Sequence, residues 1–263
     1  ADVTAPSLVA MSMVTVGNPG NVADYYPYGA VSYAYQIGKY DVTGSQYTAF
    51  LNAVGKTDTY CLYNTFMGTD TQVAQISRSG TSGTYTYAVR NSTGQRPITY
   101  VSWFDSARFA NWMSNGQPSG SQTSTTTENG AYNVNGATSG NTVAANATNP
   151  NTGFAPTFRM PLENEWYKAA YYNAVSQTYS LHANGQNSIT NANYGSSGSI
   201  DVGTFSGAPS SYGTFDQGGN VWEWTGDEVD EKTKLPALRG GGHLAFENFT
   251  NAQYRWSVRG EDK

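Results

Sequence analysis

Apolar residues recur at helical spacing in three stretches of the chain. The first stretch repeats them at i, i+3, i+4 and i+7 over residues 47–54, and Gly55 ends the pattern. Thr43, followed three residues later by Gln46, forms a capping-box sequence just ahead of this stretch. Together these signals predict an amphipathic helix between Thr43 and Gly55.

Two further helices are predicted downstream. One begins after Ser102, a residue that favours the cap position, and stops near Asn115. The other begins at Pro161, which is favoured as a first helical residue. Glu163 and Glu165 follow at once, where the positive end of the helix dipole stabilises carboxylates.

The remaining pattern predicts short strands and one long polar segment. Residues 13–17 alternate in polarity and residues 33–42 are rich in aromatic side chains, as is typical of strands. Residues 116–156 carry one charged residue, Glu128, among many Thr, Ser, Asn and Gly. Since structureless loops of this length are unusual in compact domains, we expect a hairpin-bearing surface insertion that uses residues 130–134. A flexible low-complexity loop is the alternative.

Composition limits the classes of partner. The 263 residues are 13% charged with a net charge of −5, which argues against nucleic acid and anionic membranes as partners. No stretch approaches the roughly 20 apolar residues of a membrane span. The aromatic fraction of 14% supplies the large apolar surfaces that a folded domain buries. We therefore interpret residues 1–263 as a single domain without a membrane span.

Cysteine and histidine are scarce. The single cysteine, Cys61, excludes an internal disulfide and a Cys-rich zinc site. His182 and His243 are the two histidines, too few for a His-based centre. A chain that begins at Ala1 is consistent with signal-peptide removal, and the polar, lysine-poor composition favours an exported bacterial protein at the cell surface or outside the cell.

Five sequence blocks in chain order resemble the formylglycine-generating enzyme, or sulfatase-modifying factor, family. The most diagnostic is Gly-Asn-Val-Trp-Glu-Trp at residues 219–224. The blocks are residues 35–43, 97–103, 160–166, 212–224 and 238–242. The resemblance implies an α+β fold, namely the loop-rich, C-type lectin-like fold of this family, with about three short helices and small antiparallel sheets.

The resemblance stops at the family's catalytic centre. The enzymes place two copper-binding cysteines shortly after an Arg-Gly-Gly-Ser turn, which resembles residues 239–242 here. Residues 243–251 contain no sulfur, and soft thiolates are the ligands that Cu(I) selects. We therefore assign no catalytic residues, expect no bound copper and interpret the chain as a non-catalytic member.

Calcium is the cofactor that the resemblance implies. The enzymes bind a calcium ion with an acidic or amide side chain, two backbone carbonyls and a glutamate, which correspond here to Asp216, Gly219, Val221 and Glu223. Two carboxylates and two carbonyl oxygens suit a hard cation. In the alternative interpretation, Glu223 caps backbone amides while Asp216 forms an Asx turn.

A candidate ligand-binding surface follows from the same resemblance. Trp222 and Arg259 correspond to groove positions of the enzymes, and residues 243–256 correspond to their active-site segment. That segment also resembles, in position, the variable surface of lectin-fold proteins diversified by retroelements. Its candidate contact residues are His243, Phe246, Phe249, Tyr254 and Trp256.

The leading hypothesis is a non-catalytic, exported protein that binds a protein or glycan ligand or assembles with its own copies at a surface. Three alternatives stay open. The first is a sulfatase-modifying-type oxidoreductase with atypical metal ligands. The second is a structural subunit of an extracellular filament or sheath, which fits the abundance of Gly and Tyr. The third is a retroelement-diversified binding protein.

Overall fold

The computed structural model describes residues 8–228 and 235–263. Helices in these residues are short and lie mainly in the first two thirds of the chain. They are α1 (Gly44–Val54), α2 (Phe66–Thr69), α3 (Trp103–Ser114) and α4 (Glu163–Tyr171), with a 3-10 turn at Glu247–Thr250.

The strands are also short, and every pairing among the described residues is antiparallel. Two-stranded sheets are formed by β1 (Met13–Val16) with β2 (Tyr35–Gly38), β3 (Ile76–Ser79) with β4 (Thr86–Val89), and β5 (Tyr172–Asn173) with β6 (Thr178–Tyr179). A three-stranded sheet has the order β7 (Glu223–Glu228), β8 (Pro236–Arg239), β9 (Trp256–Ser257). The predicted loop-rich α+β fold is confirmed.

The first two predicted helices begin and end as their sequence signals indicate. At α1, the Thr43 Oγ1 atom accepts the Gln46 N–H at 3.3 Å, and the Gln46 Oε1 atom accepts the Thr43 N–H at 2.9 Å. At α3, Ser102 and Asp105 form the same reciprocal pair. Each capping box satisfies two backbone donors at the start of the helix.

The third predicted helix begins two residues later than its proline signal. Leu162 keeps an extended backbone with ψ of 155°, and α4 begins at Glu163. Glu165 explains this start, because its Oε2 atom accepts the Leu162 N–H at 2.7 Å. A carboxylate in the first turn therefore acts as the cap, and Pro161 lies outside the helix.

The polar segment at 116–156 contributes to the core rather than only covering it. Its expected hairpin is reduced to one isolated bridge between Tyr132 and Ala145. Ala131, Tyr132 and Val134 are nevertheless buried against α3. A segment of mostly polar residues therefore supplies one wall of a hydrophobic cluster.

A cavity lies where three hydrophobic clusters meet. One cluster surrounds α1, one packs Trp103 on the 116–156 segment, and one centres on Trp166 of α4. Between them remains a volume of about 240 Å³, lined by apolar side chains such as Met113 and by the carboxylates Asp41 and Glu223. None of the helices among the described residues has the length and apolarity that crossing a bilayer requires.

Candidate functional site

The candidate calcium loop, residues 216–221, has an unusual backbone. Asp216, Gly219 and Asn220 have φ angles of 67°, 94° and 64°, in the left-handed region that side chains disfavour. A Cβ atom on Gly219 would lie 2.5 Å from the Asn193 carbonyl oxygen. Only glycine therefore fits this position.

Asn220 fastens this loop to the segment around residue 200. Its Oδ1 atom accepts the Ile200 N–H at 3.0 Å, and its own N–H donates to the Asn193 carbonyl at 2.7 Å. On the other side, the Gly219 N–H donates to the Gly240 carbonyl at 2.8 Å. The loop is thus held from both sides before any ligand is considered.

The two candidate carboxylates each use one oxygen in a protein hydrogen bond. Glu223 Oε2 accepts the Trp166 indole N–H at 2.8 Å, while Glu223 Oε1 is buried without a hydrogen-bond partner. Asp216 Oδ2 accepts the Gly203 N–H at 2.8 Å. Among the described residues, Glu223 accepts from an indole rather than from backbone amides, and the N–H that Asp216 accepts belongs to Gly203, 13 residues away, rather than to an Asx turn.

Burial of these carboxylates disfavours their charged form. It raises the pKa of Glu223 to about 8, and the neighbouring charge of Asp216 adds to the rise. Burial also raises the pKa of Asp216 to about 6. A cation between the two groups would remove both penalties, which is the electrostatic condition for a metal site.

The oxygen set offered by the loop fits calcium. In the described part of the chain, the carbonyl oxygens of Gly219 and Val221 accept no hydrogen bond outside the helix and strand ladders. With Asp216 and Glu223 they provide the hard oxygen ligands that calcium prefers. No three His, Cys, Asp or Glu side chains are grouped around a possible metal position in residues 8–228 and 235–263. A calcium ion here would thus depend on backbone oxygens and water as much as on carboxylates.

The five aromatic candidates for ligand binding form one continuous chain of rings, here called the aromatic face. Trp222 contacts Trp256 and Tyr254, with ring centroids 5.4 and 5.7 Å apart. Tyr254 contacts Phe249 at 4.4 Å, and Phe249 contacts Phe246 at 6.0 Å. Residues distant in sequence are brought together because β8 pairs Leu238 with Trp256 on one side and with Trp224 on the other.

The ends of the aromatic face are open to solvent. The exposed fraction is 75% for Phe246 and 46% for Trp256, and it is 64% for the nearby Leu244. Large apolar side chains that cluster at an exposed position are typical of interaction surfaces. The predicted contact residues with aromatic rings thus share one surface.

The other two candidate ligand-binding residues, His243 and Arg259, are not part of this chain of rings. His243 lies at the loop, where its Nδ1 atom is 3.3 Å from the Asn220 carbonyl and its Nε2 atom is buried. Arg259 is 76% exposed, its guanidinium lies 4.0 Å from Glu261, and its N–H donates to Asp262. No ring or ion-pair contact joins Arg259 to the aromatic face in the described part of the chain.

No sequence signal singles out Asp41, although it belongs to the first of the five blocks. It lines the cavity together with Glu223 and Trp222. The pKa of Asp41 is raised well above its usual value by burial, then by the charge of Glu223 and that of Asp216. The sequence gives no sign that residues 41 and 223 lie close together, because 182 positions separate them.

Cys61 carries the single thiol of the chain and is not part of the aromatic face. Cys61 is exposed, its N–H donates to the Asp58 carbonyl, and its own carbonyl accepts the Lys263 ammonium at 2.7 Å. Residues 243–256 supply four rings of the aromatic face and the 3-10 turn, and they contain no sulfur atom.

Comparisons with known proteins identify a family and similar folds. Residues 11–263 match the family described as "Sulfatase-modifying factor enzyme 1-like domain". The fold is similar to that of Treponema denticola variable protein 1, with a TM-score of 0.60 and 21% identity over 97% of this chain and 93% of that one. It is also similar to the crystal structure of CarF, with a TM-score of 0.56 and 18% identity over 96% and 94% of the two chains. No curated protein sequence matches the chain significantly.

Proposed function

The chain belongs to the family of sulfatase-modifying factor enzyme 1-like domains, and we propose that it is a non-catalytic, exported member that binds a protein or glycan ligand. The observation that supports this proposal is the aromatic face. Four of its five rings belong to residues 243–256, the segment that by resemblance corresponds to the active-site segment of the enzymes, and both of its ends are exposed. Rigid aromatic side chains give large contact areas at little entropic cost.

The chemistry of the chain supports a role in binding. Family enzymes activate oxygen through a thiolate pair, and the segment from His243 to Asn251 offers none. With copper(I), oxygen and a peptide containing Cys-x-Pro-x-Arg, we expect the peptide cysteine to stay unchanged. Formylglycine product would contradict the non-catalytic assignment.

Binding is tested with variants of the aromatic face. Trp256→Ala and Phe246→Ala should each weaken binding of hits from a glycan array and a panel of surface proteins by tenfold or more, since exposed aromatic side chains that become buried in an interface often contribute about 2 kcal/mol. Phe154→Ala is the matched control, because Phe154 is 77% exposed and lies in the polar 116–156 segment. Equal binding by all three variants would reject the aromatic face as the binding surface.

We propose a structural calcium ion as the cofactor of this scaffold, bound by Asp216, Gly219, Val221 and Glu223. The unpartnered Glu223 Oε1 atom and the two carbonyl oxygens support the assignment. The ion would stabilise the loop that leads into Trp222, and so would help to hold this ring of the aromatic face in position.

Calcium removal provides the test. A ligand present at 100 times its dissociation constant stabilises the folded state by about 2.7 kcal/mol, so EDTA should lower the melting temperature by several degrees. Glu223→Gln should abolish most of this response, whereas Glu247→Gln, at an exposed position, should preserve it. A melting temperature that EDTA leaves unchanged in the unaltered protein would rule out the calcium assignment.

A further inference from the structure

Two unsatisfied carboxylate oxygens distinguish the region beneath the aromatic face. Among the buried side-chain oxygens of residues 8–228 and 235–263, the carboxylate atoms without a hydrogen-bond partner are Asp41 Oδ2 and Glu223 Oε1. Both residues line the same cavity. Since buried polar groups are normally paired, two such atoms in one place indicate a missing partner.

That partner has to be positively charged or a hydrogen-bond donor. The neighbouring charges that act on Asp41 are those of Glu223 and Asp216, both negative. Lys39 is close in sequence, but its ammonium lies over the rings of Tyr40 and Phe215, 5.3 and 5.5 Å from their centroids. An unpaired buried carboxyl group is costly, so a ligand that pairs with Asp41 would stabilise the folded state.

Asp41 does not have to touch the ion directly. No three acidic side chains of the described residues are grouped closely enough to hold one metal together. Calcium takes about six to eight oxygen ligands, and the two carboxylates and two carbonyls of the loop provide roughly four to six. Water fills the remaining positions, and a metal-bound water needs an acceptor for its hydrogens.

We propose that Asp41 is the outer carboxylate of this site and that its Oδ2 atom accepts a hydrogen bond from a water molecule bound to the ion. The inference rests on the proposed calcium ion at Asp216, Gly219, Val221 and Glu223. Asp41 lies in the connection between β2 and α1, whereas the inner ligands lie just before and at the start of β7. The ion and its water therefore join the first third of the chain to the last.

Terbium luminescence provides the experiment. Tb³⁺ replaces Ca²⁺ at oxygen sites, and the Trp166 indole, hydrogen-bonded to Glu223, is in position to sensitise its emission. Titrating the full chain with Tb³⁺, and displacing it with Ca²⁺, gives the affinity. Emission lifetimes in H₂O and D₂O give the number of water molecules on the ion.

Asp41→Asn should weaken Ca²⁺ binding by about tenfold or more, as is typical when an outer-shell partner of a metal site is lost. The number of bound water molecules should stay the same, because Asp41 is not a direct ligand. Asp201→Asn is the matched control: Asp201 is exposed and its loss removes the same charge, so the affinity should be unchanged.

A second readout separates this role from a purely structural one. In EDTA, Asp41→Asn should melt at a higher temperature than the unaltered protein, because it removes a buried carboxyl group whose Oδ2 atom has no hydrogen-bond partner. Excess Ca²⁺ should raise the melting temperature of Asp41→Asn, relative to EDTA, by less than it raises the melting temperature of the unaltered protein. A variant that is destabilised equally with and without Ca²⁺ would mean that Asp41 acts only in packing, and the proposal would be wrong.

Two further outcomes would also overturn the outer role of Asp41. Unchanged Ca²⁺ affinity in Asp41→Asn would show that the residue is independent of the ion, and one additional water in the variant would make it a direct ligand. If the unaltered protein binds neither Tb³⁺ nor Ca²⁺, the calcium proposal itself fails, and this is seen before any variant is compared.

Discussion

At the scale of single residues, the candidate calcium site is defined by carboxylates whose environment opposes their charge. Burial raises the pKa of Glu223 from its ordinary 4.5 to about 8, and that of Asp216 from 3.8 to about 6. The metal-free folded state therefore holds protons that the unfolded chain releases. Between about pH 4.5 and pH 8 the folded state binds more protons, so its stability falls as pH rises.

The fall in stability of the metal-free protein with rising pH can be measured. In EDTA, the urea midpoint of the protein should be lower at pH 8.5 than at pH 5.5, because both carboxylates become charged without a partner. With Ca²⁺ in excess the difference should shrink or reverse, since the ion binds the deprotonated carboxylates of Asp216 and Glu223. A metal-free protein that is more stable at pH 8.5 would contradict the buried, unpaired state of these groups.

A second residue-scale prediction concerns Glu128, the one charged residue of the 116–156 segment. Its two oxygens accept the Nε and Nη2 donors of Arg108, each at 2.8 Å, and the Arg108 side chain is fully buried. Breaking a buried ion pair on one side leaves an uncompensated charge and costs about 3–5 kcal/mol. Glu128→Gln should lower the free energy of unfolding by this amount in urea denaturation.

The matched control is an ion pair at the surface. Arg259 and Glu261 are 4.0 Å apart, and the Arg259 side chain is 76% exposed. Glu261→Gln should change the free energy of unfolding by less than about 1 kcal/mol, because water screens the pair. Similar losses in Glu128→Gln and Glu261→Gln would mean that the Arg108 pair contributes little to the fold.

At the scale of elements, the sequence predicts the helices well because their signals are local. The caps Thr43 and Ser102, each with its partner three residues later, are satisfied within one turn and depend on nothing distant. The strands are shorter than predicted, since β1 ends at Val16 and β2 spans only Tyr35–Gly38. Strand length depends on the partner strand, which no local pattern encodes.

The cap of α3 yields a prediction of its own. Ser102 is buried and its hydroxyl accepts the Asp105 N–H at 3.1 Å, so Ser102→Ala leaves that donor without its partner. Losing such a cap costs about 1 kcal/mol. Ser176→Ala, in the exposed turn between β5 and β6, should change the urea midpoint little. Equal midpoints for the two variants would show that solvent replaces the Ser102 cap.

At the scale of the whole molecule, chain topology builds the candidate site, and local pattern does not reveal it. The Gly-Asn-Val-Trp-Glu-Trp block identifies Glu223 and Trp222 from the sequence, because the block itself is contiguous. Asp41 and Trp166 reach the same place from other elements, and no periodicity in the sequence relates them to Glu223. The aromatic face likewise depends on β8 lying between β7 and β9.

The structural role of the 116–156 segment is also not predictable from local sequence pattern, because the segment is mostly polar. Tyr132 is fully buried, its ring centroid is 5.3 Å from that of Trp103, and its hydroxyl accepts the Met160 N–H at 3.1 Å. It therefore links the segment to α3 and to the approach to α4. A sparse apolar pattern gives no period from which this burial could have been predicted.

Two aromatic residues of that segment allow a matched test of its role. Tyr132→Ala should lower the free energy of unfolding by about 3–5 kcal/mol, because it opens a cavity beside Trp103. Tyr132→Phe should cost only about 1–3 kcal/mol, since it leaves the Met160 N–H unpaired but keeps the ring. Phe154→Ala, at a residue that is 77% exposed, should be nearly neutral. If Tyr132→Ala proves as mild as Phe154→Ala in urea denaturation, the segment is a surface insertion after all, and α3 is stable without it.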